Sequence, residues 1–512
     1  MPLGLDASSL LCAGNIYIYA KVALTAIALW LLHAFFTSNK FPVDVSKKDW
    51  APQVAGGVPI LGHALEYSKS TFDFIEKYRK VHGRCFMARI AFKNIVFLDG
   101  TFAKAFFSAP ESVLSFTDAM AQMLVPDLTI GLHVLHEPWH MPLMRVTLRA
   151  ENVSSTFSLN LEPLYKRAVC RHLPGGAVRG DTSTTLLKST PLCWDLVAHF
   201  SSLSFFGPFM FERHYEPLLK VFKELHVSCF QVINTCAVMP QFAAFFAARE
   251  LHKHKERVRD MVSEEVRRRR SLPPNSPKSQ TCEDDLLTTM MSARKKDGSE
   301  NPDLLSDVVV ADYMISLIFA SMSTTAGVLT NVFYELAGRP EYQSSLRLEG
   351  ATALKICGGK IANVGGVAFL DRLPLMTSFI REAVRLASLP IQGVRVAREE
   401  CVLNGVRIPK GSVVTNCGIL AHYDETAYAD PFEFKASRFD GVDVETSDKF
   451  NPFGIGRHVC PGRHFAMAEI KVSLTLLLQE WSFSTVSGKV PKYAFLPTET
   501  LRVDEPVVFT KL

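Results

Sequence analysis

The segment FNPFGIGRHVCPGRHFAMAEIK, residues 450–471, restricts the fold of this 512-residue chain more than any other. Apolar residues recur at helical spacing after His464, so Cys460 precedes a predicted helix N-terminus. Unpaired N–H groups and the helix dipole favour an anion there, and we expect them to lower the pKa of the thiol. The loop also has three glycines, which let the backbone approach a flat ligand and aim N–H groups at the sulfur: Gly454, Gly456 and Gly462. The pattern predicts a metal-ligating thiolate rather than a spare buried thiol.

Composition favours a large apolar core in a reducing compartment. Hydrophobic residues make up 48% of the chain, and 36 residues are phenylalanine. The formal net charge of +5 gives no basic footprint for nucleic acid, so we expect no nucleic-acid partner. The 11 cysteines are scattered without a C-x-x-C pair, which indicates reduced thiols.

An apolar run at the N-terminus predicts a membrane anchor. Residues 16–36 are predominantly apolar, and about 20 such residues cross the hydrocarbon core as a helix. Three lysines follow the run, and the positive-inside tendency then places the rest of the chain in the cytosol. Lys21 lies inside the run and leaves a buried helix of the folded body as the alternative. We predict an anchor at residues 1–39, a proline-bearing tether at 40–60 and one folded domain at 61–512.

The remaining chain alternates between a small sheet and a long helical region. Residues 84–100 predict a hairpin, residues 101–390 are mainly of helical periodicity, and strands return at 394–415 and at the C-terminus. The run Arg267 to Arg270 is either a docking patch for an acidic partner or a solvated helix end.

A zinc-protease pattern in the chain is not expected to bind metal. Residues 136–140, HEPWH, match H-E-x-x-H, which requires both histidines one turn apart on a continuous helix. Pro138 lies inside that turn, lacks an N–H and biases the preceding residue away from helical angles. Cys460 is therefore the one metal ligand that the sequence predicts.

The Cys460 segment resembles the haem-binding loop of the cytochrome P-450 monooxygenases. The match is Phe453-Gly454-x-Gly456-x-x-x-Cys460-x-Gly462. The resemblance implies that Cys460 is the axial thiolate ligand of the iron of haem b and that Phe453 packs against the haem. It covers about residues 50 to 512 and implies the cytochrome P-450 fold, which is mainly α with small β-sheets.

Two further segments resemble motifs of the same family and occur in the family's order. Glu382-Ala-Val-Arg385 resembles the E-x-x-R pair, whose members share a helix face and form a charge-assisted ion pair. Ala436-Ser-Arg438-Phe439 resembles the P-x-R-F segment, with alanine in place of proline. The resemblance implies that Arg438 completes a network with Glu382 and Arg385.

Residues 319–327, FASMSTTAG, resemble the family's oxygen-side helix, [AG]-G-x-[DE]-T-[TS]. Thr324 then matches the threonine that handles dioxygen and holds water for proton delivery. Ser321 replaces the usual glycine and Ser323 the usual acid. Ser323 can relay a proton through water but supplies no carboxylate, so the acid–alcohol relay of the family is altered here.

The haem propionates need cationic partners. By resemblance these are Arg457 in the haem loop, Arg395 on a strand, and Arg145 on an earlier helix, with Arg149 as the competitor of Arg145. The family's W-x-x-x-R spacing fails in this chain, because Leu143 stands where the arginine is expected.

The resemblance implies a monooxygenase that receives electrons from NADPH–cytochrome P-450 reductase, with cytochrome b5 as a further donor. It also implies a single-pass protein of the endoplasmic reticulum membrane, in contact with membrane lipid and with a cytosolic catalytic domain. The basic surface near the haem loop, with Arg463 and Lys471, is the expected docking face.

The segments CPGRHFAMAEIK and FASMSTTAG look most like those of fungal secondary-metabolism members of the family. This resemblance implies a lipophilic terpenoid- or steroid-type small molecule as the substrate. By resemblance the pocket is formed by residues 114–127, Phe319, 391–393 and 496–501, which are mainly apolar. Phenylalanine-rich segments at 205–211 and 240–248 either enter the bilayer or form core helices. The alternatives are sterol 14α-demethylation, a reductase-independent isomerase or dehydratase, and a haem sensor. Thr324 argues against the last two.

Overall fold

The computed structural model describes residues 49–124, 126, 129–136, 138, 140–148, 161–173, 184–238, 241–273, 285–294, 304, 306–358, 367–444, 449–497 and 499–512. The predicted anchor and the first part of the predicted tether lie outside these residues. The bounds of the anchor, the tether and the folded domain stay predictions.

Helices form most of the described chain. In chain order they are α1 Ala64–Lys69, α2 Thr71–His82, α3 Ala103–Ser108, α4 Phe116–Leu124, α5 Leu132–His136, α6 His140–Thr147, α7 Leu161–Cys170, α8 Ser189–Val238, α9 Gln241–Arg270, α10 Leu286–Met291, α11 Asp307–Ala337, α12 Gln343–Ile356, α13 Val367–Leu370, α14 Pro374–Leu386, α15 Gly418–His422 and α16 Arg463–Glu480.

The strands form small sheets beside the helices. They are β1 Cys85–Ile90, β2 Lys93–Leu98, β3 Leu114–Ser115, β4 Thr184–Lys188, β5 Val394–Ala397, β6 Cys401–Leu403, β7 Val406–Ile408, β8 Val413–Asn416, β9 Trp481–Thr485, β10 Tyr493–Phe495, β11 Thr500–Arg502 and β12 Pro506–Lys511. The largest sheet has the order β1-β2-β8-β5-β3, in which only β2 and β8 run parallel. The predicted hairpin at 84–100 is confirmed, with Cys85 opposite Leu98.

Helix α11 runs through the largest apolar cluster of the protein. The Ser306 hydroxyl accepts the Val309 N–H at its start, and Gly338 follows its last residue. Among the described residues, α11 is also the one helix long and apolar enough to cross a membrane, but 56% of its apolar window is buried within the protein. An apolar helix covered in this way is a core helix, so its composition is weak evidence for a membrane span.

Parts of two segments whose role the sequence left open belong to the core of the protein. Within 205–211, three rings are buried in the main cluster and do not form a bilayer surface: Phe205, Phe206 and Phe211. Phe209 is 36% exposed and lies under the guanidinium of Arg268. In the arginine run at the end of α9, Arg269 is also buried and binds Asp285 with both terminal nitrogens at 2.7 Å. Arg269 is therefore part of neither a docking patch nor a solvated helix end. Side chains 240–247 lie outside the described ones.

Glu382 lies at the centre of a buried ion network. Arg385, one turn later on α14, donates Nε and Nη2 to the two oxygens of Glu382 at 2.8 Å each. Arg438 Nε donates to both oxygens at 3.0 and 3.1 Å, and the Lys435 N–H adds a bond of 3.0 Å. The side chains of Glu382 and Arg385 are completely buried. The structure thus brings together the three residues that the family motifs single out.

The same network fixes the backbone that leads to the Cys460 loop. Arg385 Nη1 donates to the carbonyls of His422 and Pro431 at 2.6 and 2.7 Å, and Arg438 Nη1 donates to the Ala429 carbonyl. The ring of His422 accepts the N–H of Asn451 at Nε2 over 3.1 Å. Asn451 begins the turn that carries the Cys460 loop, so α14 and the loop are joined through buried polar contacts.

Loss of the Arg385 side chain should destabilise the protein strongly. Arg385→Met leaves a buried carboxylate with half of its charged donors, and we expect the free energy of unfolding to fall by about 3–5 kcal/mol. Chemical denaturation followed by circular dichroism measures the change. Arg398→Met is the control, because Arg398 pairs with Asp118 at the surface and such pairs contribute about 1 kcal/mol or less. Equal losses in the two variants would contradict the assigned role.

Buried His422 should make the fold sensitive to acid. Burial, with Arg385 nearby, lowers its pKa from 6.5 to about 3. The unfolded chain therefore binds a proton below pH 6.5 that the folded protein excludes. The free energy of unfolding therefore decreases as the pH falls from 6.5 towards 3, by up to about 1.4 kcal/mol per pH unit.

We therefore expect the unfolding temperature to fall more steeply with acidification in the wild type than in His422→Gln. The glutamine amide oxygen can still accept the Asn451 N–H. The comparison therefore isolates the effect of protonating the His422 ring on stability. Thermal unfolding between pH 6.5 and about pH 5 measures it. His140 and His199, whose pKa values burial lowers to about 4, titrate in both proteins and cancel. Parallel pH profiles would argue against this assignment.

Candidate functional site

Tight backbone turns hold the Cys460 loop. The Cys460 N–H donates to the Phe453 carbonyl at 2.9 Å, and the Gly454 N–H donates to the Asn451 carbonyl at 2.9 Å. Gly454 and Gly456 have φ values of +72° and +67°, which residues with a Cβ rarely adopt. These two glycines are therefore required by the turn itself.

Apolar contacts press the loop against the rest of the protein. A Cβ on Gly454 would lie 3.6 Å from the Phe107 ring, which also lies 3.4 Å from a Cβ built on Gly393. Ile455 packs against the cluster that contains Phe107. The loop is therefore positioned both by the backbone hydrogen bonds of its own turns and by the Phe107 ring of α3.

The sulfur of Cys460 lies at the N-terminus of α16, as the sequence predicted. The N–H groups of Gly462 and Arg463 are hydrogen-bonded to it. The expectation that the pKa of this thiol falls was wrong for the protein chain alone. Burial raises the pKa, and the two N–H groups and the charge of Arg463 only oppose that rise.

The surroundings of the sulfur fit a flat metal-bearing group. Gly462 has no side chain, and a Cβ built there would meet only the Cys460 sulfur, at 4.0 Å, within contact range. The sulfur accepts two backbone N–H groups, which is typical of thiolate ligands of iron. Together these features suit haem ligation.

The middle of α11 presents a different surface from the rest of that helix. Ala320 and Thr324 are exposed although most of the helix is buried, and a Cβ on Gly327 would meet no atom within 4 Å. These residues recur every three or four positions and share one face. Thr324 Oγ1 donates to the Ala320 carbonyl at 2.7 Å, and Ser323 Oγ donates to the Phe319 carbonyl at 3.0 Å. The two hydroxyls thus lie on adjacent faces.

The C-terminal hairpin is joined to this part of α11. Asn331, seven residues after Thr324 and on the same side, donates to the Thr500 carbonyl at 2.7 Å. Thr500 Oγ1 donates to the Ser388 carbonyl at 3.0 Å, which brings in the segment after α14. The neighbours Leu389 and Leu501 are 38% and 36% exposed, so they offer apolar surface beside these contacts. The sequence analysis missed Asn331, whose signal was a polar residue in an apolar helix.

The three predicted propionate ligands differ in their surroundings. Arg395 on β5 is buried, lies 4.0 Å from Glu111, and stands over the rings of Phe106 and Phe116 at 5.5 and 5.4 Å. Phe116 in turn lies 6.0 Å from the His458 ring of the Cys460 loop, so Arg395 is connected to the loop through one aromatic ring.

Arg145 is exposed on α6, whereas Arg149 lies outside the described residues. The backbone of Arg457 lies in the 3₁₀ turn Gly456–His458, and its side chain is outside the described ones. For HEPWH, His136 ends α5 and His140 begins α6, so the two histidines are not on one continuous helix.

A concave space of about 470 Å³ lies beside the Cys460 loop, between α14 and α16. Phe453 of the Cys460 loop is one of the residues that line it. Lys471 also lines the cavity and donates to the Leu370 carbonyl at 3.1 Å. Burial lowers its pKa to about 8. Lys471 is half-buried, so only part of its side chain is available to the docking surface that the sequence analysis predicted.

Comparison with known proteins agrees with this geometry. Residues 52–508 match the sequence model of the family described as Cytochrome P450. Cytochrome P450 monooxygenase 103 of Postia placenta is 25% identical over 488 residues, 88% of this chain and 92% of that protein. Cytochrome P450 monooxygenase terQ of Tolypocladium album is 28% identical over 343 residues, 62% of this chain and 58% of that protein.

Among solved structures, the retinoic acid-bound cyanobacterial CYP120A1 is similar with a TM-score of 0.69 and 18% identity, over 90% of this chain and 99% of that chain. This likeness confirms the predicted fold, mainly α with small β-sheets. The family match spans most of the sequence and includes the cysteine loop and both ion-network motifs. The chain therefore belongs to the cytochrome P450 family and is a P450 monooxygenase.

Proposed function

We propose that this P450 hydroxylates a lipophilic terpenoid- or steroid-type metabolite in fungal secondary metabolism, with electrons from an NADPH-dependent reductase. The observation that carries the haem assignment is the Cys460 sulfur at the start of α16, with two N–H groups directed at it and no side chain at Gly462. Bound haem b would supply the cleavage of dioxygen and the insertion of one oxygen atom into a C–H bond. The protein residues supply positioning, protons and exclusion of water.

Cationic side chains would hold the haem propionates. Arg395 supports this role best, because it is a buried charge within reach of the loop. Arg457 and Arg145 are the further proposed partners. The ion network acts indirectly, because it fixes the backbone that carries the loop. Its members are Glu382, Arg385 and Arg438.

Thr324 would hold a proton at Oγ1 beside the reacting oxygen. Its exposure in the middle of a buried helix, together with the small neighbours Ala320 and Gly327, supports this position. Ser323 would pass protons through water, since it offers a hydroxyl and no carboxylate. We propose both as catalytic residues.

Exposed apolar side chains support a lipophilic substrate. Leu389, Leu501 and Phe116 expose more than a third of their surface, and each belongs to or adjoins a segment that the resemblance assigns to the pocket. Sparse polar groups suit a molecule with few oxygens. The relatives from fungi are consistent with a fungal metabolite as the substrate.

We propose that reductase docks on the face of the Cys460 loop that carries Arg463. An acidic partner surface would be steered by such a cation. The protein would act at the endoplasmic reticulum membrane, held by residues 1–39. The length and apolar composition of residues 16–36 support this location.

Replacement of the cysteine tests the haem assignment directly. The carbon monoxide difference spectrum of the reduced wild type should show the strongly red-shifted Soret band of a thiolate ligand. In Cys460→Ser the red-shifted band and turnover should both be lost, because serine supplies no thiolate. Cys357→Ser, at a half-buried cysteine distant in sequence, is the control and should keep the wild-type band. An unshifted band in folded wild type would refute thiolate ligation.

Replacement of the threonine tests proton delivery. Thr324→Ala should retain haem and the red-shifted band but divert most NADPH to hydrogen peroxide, with product per NADPH reduced by about tenfold or more. Thr324→Ser should recover coupling, because it restores the hydroxyl. Product and peroxide are measured with a terpenoid or sterol chosen by its spin-state shift. Normal product yield per NADPH in Thr324→Ala would remove the proposed role.

A further inference from the structure

The uncovered face of α11, which we call the open stripe and which contains Ala320, Thr324 and Gly327, ends at a buried asparagine. Asn331 lies one turn after Gly327 on the same face and is 3% exposed. Its Nδ2 donates to the Thr500 carbonyl at 2.7 Å. The face is therefore exposed at Ala320 and Thr324 and covered by β11 at Asn331.

Two contacts give the direction of the β10–β11 hairpin along α11. Thr500 meets Asn331, and Glu335, one turn later on the helix, accepts Arg502 Nη2 and, at 2.9 Å, the hydroxyl of Tyr493. From Thr500 to Arg502 the strand advances about 6.6 Å, and from Asn331 to Glu335 the helix advances about 6 Å. The strand and the helix therefore run side by side in the same direction.

The turn between β10 and β11 consequently lies towards the open stripe. It precedes Thr500 in the chain, just as Gly327 and Thr324 precede Asn331 on the helix. A hydrogen bond of 2.9 Å from the Leu496 N–H to the Glu499 carbonyl closes this turn. In the part of the chain that the structure describes, a Cβ on Gly327 would meet no atom within 4 Å, so the stripe is still open there. The turn thus stands at the far end of the open stripe.

A second hydrogen bond holds Thr500 from the opposite side. Its Oγ1 donates to the Ser388 carbonyl at 3.0 Å, and the Ser388 hydroxyl accepts Gln392 Nε2 at 3.1 Å. The Gln392 N–H donates to the carbonyl of Asn416, on β8 of the largest sheet, at 2.7 Å. Thr500 is therefore joined both to α11 and to the sheet, and a shift of the hairpin breaks at least one of these bonds.

We propose that Asn331 and Thr500 are positioning residues that fix the hairpin turn at the far end of the open stripe, where the turn limits the length of the substrate. This inference rests on the proposed function for the place of Thr324 beside the haem. Asn331 acts through Thr500, since its own side chain is buried. A molecule that is longer than the stripe has to displace the turn and break a hydrogen bond of Thr500.

A series of 1-alkylimidazoles measures this length in the full-length holoenzyme. The imidazole ring binds the haem iron, which shifts the Soret band, and the alkyl chain occupies the space beside the open stripe. Each added methylene that is buried should tighten binding by about fourfold until the chain reaches the hairpin turn. We expect the dissociation constant of the wild type to fall from 1-ethylimidazole onward and to level off before 1-dodecylimidazole.

Variants at the two positions should move this break to longer chains. Asn331→Leu keeps the branched shape and removes the donor to Thr500, and Thr500→Val, the second variant if Asn331→Leu does not fold, removes the donor to Ser388. A shift of about two carbons would tighten 1-dodecylimidazole binding by about tenfold. 1-Ethylimidazole, which is too short to reach the turn, should bind as in the wild type. Thr500→Ser restores the hydroxyl and should keep the wild-type break.

Tyr334→Phe is the control for a general loosening of this region. The Tyr334 hydroxyl donates to Asp504 at 2.8 Å and accepts the Glu505 N–H at 3.0 Å, both after the hairpin. Its loss should lower the unfolding temperature without moving the break. The carbon monoxide spectrum of each variant verifies that it is folded.

Three results would overturn the proposal. The first is a break at the same chain length in the wild type, Asn331→Leu and Thr500→Val. The second is an equal shift in Tyr334→Phe, which would indicate general loosening. The third is a wild type without a break up to 1-dodecylimidazole. Failure of the enzyme to oxidise terpenoids and sterols would contradict the proposed substrate class instead, and it would leave the chain-length plots unchanged.

Discussion

The position of the Cys460 loop depends on a carboxylate that two arginines share inside the protein. A buried carboxylate costs several kcal/mol in lost hydration unless charged donors surround it, and Glu382 is surrounded by Arg385 and Arg438. The remaining guanidinium donors then bind backbone carbonyls between His422 and Glu433, where regular secondary structure is sparse. Because the His422 ring accepts the Asn451 N–H, this constraint extends directly to the cysteine turn.

Two opposing effects act on the sulfur that this scaffold holds. The N-terminus of α16 directs N–H groups at Cys460, but burial has the larger effect and raises the pKa of the thiol. The helix end thus orients the sulfur and stabilises part of its negative charge, and full ionisation needs a metal cation, which deprotonates a coordinating thiol. The same N–H groups would then moderate the electron density of the sulfur. In the proposed haem site the chain would supply the geometry, and the coordinated metal would supply the ionisation of the thiol.

Local sequence patterns correctly predicted the structural features that depend only on residues near each other in the chain. The hairpin at 84–100, the helix after Cys460 and the spacing of Glu382 and Arg385 all follow from near neighbours in the chain. The burial of Arg269 and the partial burial of Lys471 could not be predicted in this way. Their surroundings come from segments distant in sequence, such as the Phe206 and Leu370 carbonyls. A run of arginines looks the same in a sequence whether its members face solvent or a buried carboxylate.

Helix α11 carries two hydroxyls at the place where the proposed proton relay would run. Thr324 Oγ1 and Ser323 Oγ both donate to carbonyls four residues earlier, so each oxygen retains lone pairs that accept hydrogen bonds from water. For Thr324 to donate a proton elsewhere, its bond to the Ala320 carbonyl must break. That carbonyl keeps its backbone hydrogen bond within the helix, so it is not left unsatisfied and the exchange costs little. The exposed Thr324 hydroxyl can therefore switch between the helix and water, whereas the Ser323 hydroxyl on the neighbouring face is buried.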